Sequence, residues 1–150
     1  MKIKRALLSV WNKDGIVDLA RFLSKNSIEI FSTGGTKKIL EESEIQVTAI
    51  GDITGSGSVM DGRVKTLHPK IFGGILADRK NDSHLSDLNK IDGLAIDLVV
   101  VNFYPFVNEA VLKKLNFKDA IEYIDIGGPS MIRAAAKNYH SVLALSNPEK

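Results

Sequence analysis

The sequence predicts an α/β fold of three layers, with helices covering both faces of a mainly parallel sheet. Short apolar runs alternate with helix-patterned stretches along the chain, the arrangement that generates parallel strands joined by crossover helices. The clearest run, DLVVVNF at residues 97–103, is continuously apolar without alternation, as in a strand buried on both faces. Polar, glycine-bearing loops follow several of the runs, where open parallel sheets bind their ligands.

Taken in order, residues 6–10 form a short apolar run after a charged start and read as a first strand. Residues 14–23 place Ile16, Val17, Ala20 and Leu23 on one helical face. Residues 28–31 read as a second strand, ending in Ser32-Thr33-Gly34-Gly35-Thr36, with a short helix at 37–42 and a third strand at 47–50. Residues 61–74, DGRVKTLHPKIFGG, have too few and too irregularly spaced apolar positions for a core helix or strand. They read as a constrained basic loop. Residues 81–93 are polar and read as a solvated loop carrying Asp82, His84 and Asp87, with a weak oxygen-rich metal site as the alternative, since no ligand spacing there matches a known cage. Residues 129–137 predict a helix with Pro129 in its first turn, and residues 141–145 a last strand. His140 reads as a structural residue at the end of that helix. The chain stops soon after Pro148 without a closing element, so it is expected to be part of a longer protein.

Bulk properties narrow the function. The 150 residues suit one domain, and 44% hydrophobic with 25% charged residues is an ordinary globular mixture. A net charge of +2 is too mild for a nucleic-acid surface. The absence of cysteine excludes disulfides, thiolate metal sites and a cysteine nucleophile. The N-terminal apolar run is too short for a signal peptide, and no stretch is long enough to span a bilayer. A cytoplasmic protein is expected, with no membrane partner.

Two glycine-bearing constellations carry the chemistry. Ser32-Thr33-Gly34-Gly35-Thr36 follows a strand and opens a helix, so it reads either as a phosphate cradle or as a tight turn with a helix cap. Ser9 and Lys13, at the end of the neighbouring strand, favour the cradle. Asp125-Ile126-Gly127-Gly128-Pro129 again exposes backbone donors before a helix. Asp125 is there either to accept a proton or to cap. Arg133 and Lys137 share one face of that helix, with a solvated stripe favoured for Arg133. Tyr104, after the buried strand, either donates a hydrogen bond into the cleft or packs. Trp11 and Phe106 are assigned to packing or to walling the pocket. In the basic loop, Arg63, Lys65, Thr66, His68 and Lys70 together suit an anion.

STGGT, DGRVKTLHPKIFGGILA, VVVNFYPF and IDIGGPSMIRAAAKN, in this order and spacing, resemble the N-terminal half of the bifunctional purine-biosynthesis proteins. These join inosine monophosphate cyclohydrolase to a formyltransferase acting on aminoimidazole carboxamide ribotide. The resemblance covers essentially the whole chain and implies a methylglyoxal synthase-like fold. It implies closure of 5-formamidoimidazole-4-carboxamide ribotide to inosine monophosphate with loss of water. No metal or cofactor is implied; 10-formyltetrahydrofolate would serve only the formyltransferase half, which this chain lacks. A homodimer is implied for the full-length protein.

Residue by residue, the resemblance assigns Ser9, Lys13, Ser32, Thr33, Gly34, Gly35 and Thr36 to the 5′-phosphate. Arg63, Lys65 and Thr66 line the substrate, and Asn102, Ile126 and Gly127 surround the base. Lys65, Tyr104, Asp125 and Lys137 match the catalytic residues. On this division the other loops hold the phosphate, while Arg63 and Lys65 face the base and its formyl group. Asp125 coupled to Lys137 would move the amide proton, although Lys137 lies about 12 Å along a straight helix from Pro129. Residues 54–58 depart from the family pattern with extra glycine, and Trp11 replaces a commonly small residue. A methylglyoxal synthase-like lyase and a regulatory nucleotide-binding domain remain the alternatives.

Overall fold

The computed structural model describes residues 2–149. Five parallel strands form one sheet in the order β3-β2-β1-β4-β5, with β1 at Arg5–Ser9, β2 at Glu29–Ser32, β3 at Thr48–Ala49, β4 at Leu98–Val101 and β5 at Leu143–Leu145. The order reverses at β1. The carboxyl ends of β1 and β4 therefore bound the crevice where such sheets place ligands.

The pleat alternation of the strands divides the core in two. Ala6, Leu8, Ile30, Leu98 and Val100 face Ile16, Ala20 and Leu23 of α1 (Ile16–Lys25) and Leu40 of α2 (Gly34–Glu42). Leu7, Phe31, Val99 and Val101 face the opposite layer. That layer contains Ile50 of α3 (Ile50–Thr54), Ile71 and Ile75 of α4 (Pro69–Leu76), and Met131, Ala134 and Ala135 of α7 (Gly127–Lys137). The buried residues of the central strands each have a helix to pack against on their own side, and this gives the three layers expected from the sequence.

The predicted strands and the three predicted helices all form, with shifted ends. α2 begins at Gly34, three residues before its expected start, so the glycines belong to the first turn of the helix. β4 ends at Val101, because Asn102 turns out of the sheet to bind another loop.

Two expectations are corrected. The segment at residues 61–74 is not irregular throughout, since α4 begins at Pro69 and buries Ile71, Gly74 and Ile75. Its apolar spacing was hidden by paired glycines that here serve close packing. His68 is the N-cap of α4, its Nδ1 accepting from the Lys70 N–H at 3.2 Å, and lies outside the site. Residues 81–93 contain a helix, α5 (Asp82–Lys90), capped by the Asn81 side chain, which accepts from the Ser83 and His84 N–H groups. His84 accepts from the Asp78 N–H and Asp87 pairs with Lys90, so these side chains serve local structure.

At the opposite, amino end of the sheet, Asp97 Oδ2 accepts from the Lys4 and Arg5 N–H groups at 2.8 and 3.1 Å. Arg79 donates to the carbonyls of Gly74 and Ile96 at 2.8 and 2.9 Å, tying α4 to the segment entering β4. Burial pushes the Arg79 guanidinium pKa down, partly offset by Asp97 and Asp78. No helix among the described residues is long and apolar enough to cross a membrane.

Candidate functional site

One cavity of about 680 Å³ opens at the carboxyl rim of the sheet. It gathers Ser9, Lys13, Thr33, Gly34, Gly35, Thr36, Arg63, Lys65, Thr66, Asn102, Tyr104, Asp125, Ile126 and Gly127. All the residues assigned by the resemblance are therefore brought together except Ser32 and Lys137, while His68 and Lys70 of the basic loop do not line the cavity.

The helix α2 aims its N-terminus at one end of the cavity, where unpaired backbone N–H groups and the helix dipole favour an anion. The hydroxyls there divide their work. Ser32 is fully buried and donates to the Leu8 carbonyl at 2.7 Å, so it ties β2 to β1 instead of reaching the cavity. Thr36 Oγ1 donates to the Val10 carbonyl at 3.0 Å and accepts from the Val10 N–H at 3.1 Å. Thr36 thereby fixes the end of β1, and Ser9 and Thr33 are the hydroxyls left to a ligand. Lys13 donates to the carbonyls of Val10 and Trp11. Burial pushes its ammonium pKa down, and its stem passes Gly35, where an added Cβ would lie 4.0 Å from Lys13 Cε.

Lys65 stands closer to this cradle than the sequence division implied. Its ammonium is 3.9 Å from where a Cβ on Gly34 would lie, and 3.3 Å from the same point on Gly62. The loop carrying it is held at its neck by reciprocal hydrogen bonds between Val59 and Val64. Inside that neck, Met60, Asp61 and Gly62 have φ of 54°, 54° and 94°. The first two are in a left-handed conformation that non-glycine residues adopt at a cost. The loop is thus bent toward the cavity by its backbone. Lys65→Ala is expected to weaken ribose 5-phosphate binding by roughly tenfold or more, as for a lost charge-assisted hydrogen bond. Calorimetry on the variant checks this; unchanged affinity would return Lys65 to the base side.

Arg63 is engaged across the cavity mouth, ion-paired with Glu122, which raises its pKa. Glu122 follows α6 (Phe117–Ile121), an element with no buried residue of its own. Nothing in its local sequence marked Glu122 as part of the site.

The second helix start at the cavity belongs to α7. Asp125 Oδ1 accepts from the Gly128 N–H at 2.9 Å, and Oδ2 folds over the same residue, 2.7 Å from where a Gly128 Cβ would lie. Asp125 therefore does cap α7, its second oxygen carries no hydrogen bond among the described residues, and the residue lines the cavity. Pro129 removes one orphan N–H, leaving that of Gly127 as a donor facing the cavity. Buried Thr66 supports this turn, with Oγ1 3.0 Å from the Gly127 Cβ position.

Lys137 is not brought to the cavity. It ends α7, ten residues beyond Gly127 and so about 15 Å along the axis. Asp125 turns to the start of the helix, so the expected Asp125–Lys137 pair is absent among the described residues. Asn102 lines the cavity, and its side chain is engaged locally: its amide oxygen accepts from the Trp11 and Asn12 N–H groups at 2.6 and 2.9 Å, and its nitrogen donates to the Asn12 carbonyl at 2.9 Å. It thereby fixes the loop after β1. Tyr104, 44% exposed, lines the cavity between two aromatic rings, Trp11 at 6.4 Å and Tyr123 at 6.1 Å between centroids.

Comparison with known proteins fits this geometry. The chain is 52% identical over 145 residues to the bifunctional purine biosynthesis protein PurH of Clostridium kluyveri, and 54% identical over 145 residues to that of Halalkalibacterium halodurans. In each case 97% of this chain is covered, but the chain spans only 29% and 28% of those relatives. The crystal structure of ForH superposes with a TM-score of 0.84 at 36% identity, covering 99% of this chain and 75% of that one. The pattern described as MGS-like domain matches residues 15–130, from the turn before α1 to the first turns of α7. With most of the chain matched and the same fold found independently, the chain belongs to the MGS-like domain family.

Proposed function

We propose that this chain is an inosine monophosphate cyclohydrolase domain. It would close 5-formamidoimidazole-4-carboxamide ribotide to inosine monophosphate. The observation that carries the reading is the shared cavity: an anion cradle at α2 and a phenol and a carboxylate near the start of α7 face one space of about 680 Å³. The relatives' description as bifunctional purine biosynthesis proteins agrees with it.

In the proposed reaction the carboxamide nitrogen attacks the formyl carbon and gives up one proton, the formamido N–H gives up a second as a C=N bond forms to its nitrogen, and the formyl oxygen takes up both protons and departs as water. Charge builds on that oxygen. Tyr104 would donate to it, while Lys65, whose ammonium lies beside the start of α2, would hold the phosphate. The Gly127 N–H would orient the carboxamide, while Asp125 Oδ2 accepts the nitrogen's proton. Because both reacting groups belong to one substrate, holding them in a reactive conformer contributes as well. The step balances without a redox or metal cofactor. In a protein of the relatives' full length, 10-formyltetrahydrofolate would serve the other activity, and a homodimer is proposed for that assembly.

The test adds the formamido ribotide to folded protein and follows the ultraviolet change of ring closure. Turnover supports the reading. Nucleotide binding without turnover would make the domain regulatory, and turnover of a small sugar phosphate instead would make it a lyase.

A further inference from the structure

We propose that Trp11 is a specificity-determining residue, forming with Tyr104 an aromatic wall that takes the planar base of the nucleotide. This rests on the nucleotide reading above. Trp11 is 41% exposed and contributes to the cavity lining, and its indole is tilted 59° against Tyr104. Tyr123 meets Tyr104 edge-on at 89°, which braces the phenol from behind. An exposed aromatic pair in a cavity is uncovered apolar surface with a π face, and heterocyclic bases stack on such surfaces.

Its place along the chain fixes which part of a ligand it meets. Trp11 lies two residues after Ser9 and two before Lys13, both in the cradle, so its Cα is within about 7 Å of each. A ligand with its phosphate in the cradle therefore puts its next rings against the indole. The backbone at Trp11 is pinned on both sides. Its N–H donates to Asn102 Oδ1 at 2.6 Å, and its carbonyl accepts from Lys13 Nζ at 3.0 Å. A wall held this way loses little freedom on binding. It also gives Asn102 a purpose, since the amide holds the peptide that aims the indole.

The experiment compares inosine monophosphate with ribose 5-phosphate, which has the phosphate and sugar but no base. Binding is measured by calorimetry and by the fluorescence of Trp11, the chain's single tryptophan. Wild type is expected to bind the nucleotide more tightly and to show an emission change with it alone. Trp11→Ser should weaken nucleotide binding by about tenfold, the scale of a lost base–aromatic stack, and ribose 5-phosphate by less than about twofold. Trp11→Phe should restore most of the difference. Unchanged or tighter nucleotide binding by Trp11→Ser would overturn the wall while leaving the cyclohydrolase reading intact. Equal losses for both ligands would show that the residue acts through the cradle and would equally overturn it. A wild type that binds the two ligands alike and does not close the ring would overturn both proposals.

Discussion

Asp125→Asn is expected to lower kcat for ring closure by about 10²–10³-fold while leaving the melting temperature nearly unchanged, the scale of a lost general base. The geometry explains why these effects separate. Asp125 has two oxygens, one accepting from the Gly128 N–H and the other, without a hydrogen bond among the described residues, folded over Gly128 at the cavity lining. An asparagine can keep the first contact with its carbonyl and so still cap α7, but its amide cannot take a proton from the substrate nitrogen. Asp125→Ala should lose the cap as well, adding a stability cost of about 1 kcal/mol. Steady-state kinetics alongside thermal unfolding of both variants gives the decision. If Asp125→Asn keeps kcat within about threefold, the carboxylate is a cap and proton transfer belongs to another group.

That result also bears on what the sequence could show. The alternation of strands and helices was readable because the apolar residues of the central strands bury against helices on one face or the other. Runs such as LVVV and the Ile16–Ala20–Leu23 face therefore carry their own signature. The clustering of site residues was readable because the loops after parallel strands converge on one rim. Side-chain commitments were not. Ser32, Thr33 and Thr36 look equivalent in the sequence, yet Ser32 and Thr36 bond backbone groups of β1 and the residue after it. Lys137 carried a family signature, but a helix of eleven residues takes it away from Asp125. Glu122 entered the site only through the fold, which lays the end of α6 across from Arg63. Such choices depend on contacts between residues far apart in the chain, and no local pattern encodes them.

Gly73 and Gly74 show the same limit, and they should respond oppositely to one methyl group. Both lie in α4, where alanine is favoured over glycine by about 1 kcal/mol, so propensity alone predicts that either substitution stabilises. At Gly73 an added Cβ would meet only the methyl ends of Ile91 and Leu88, at 3.2 and 3.3 Å, and these can rotate aside. Gly73→Ala is therefore expected to change stability by no more than about 1 kcal/mol. At Gly74 the Cβ would collide with the Leu94 carbonyl oxygen and press on Ile96 at 3.2 Å. Backbone cannot rotate aside, so α4 must withdraw from the segment entering β4. That withdrawal strains the Ile96 N–H bond to the Gly74 carbonyl, 3.0 Å, and the Arg79 bond to the same oxygen, 2.8 Å. Overpacking of this severity outweighs the propensity gain, and Gly74→Ala should cost about 3 kcal/mol net. For a domain of this size that lowers the melting temperature by roughly 6–12 °C. Calorimetric unfolding of the two variants side by side makes the comparison. Equal behaviour would mean that α4 shifts freely on the sheet and that close backbone approach at Gly74 does not fix its position. A selective loss at Gly74 would show that this glycine, read from sequence as part of an anion-binding loop, is required for packing on the face of the sheet that carries α7 and its Asp125 turn.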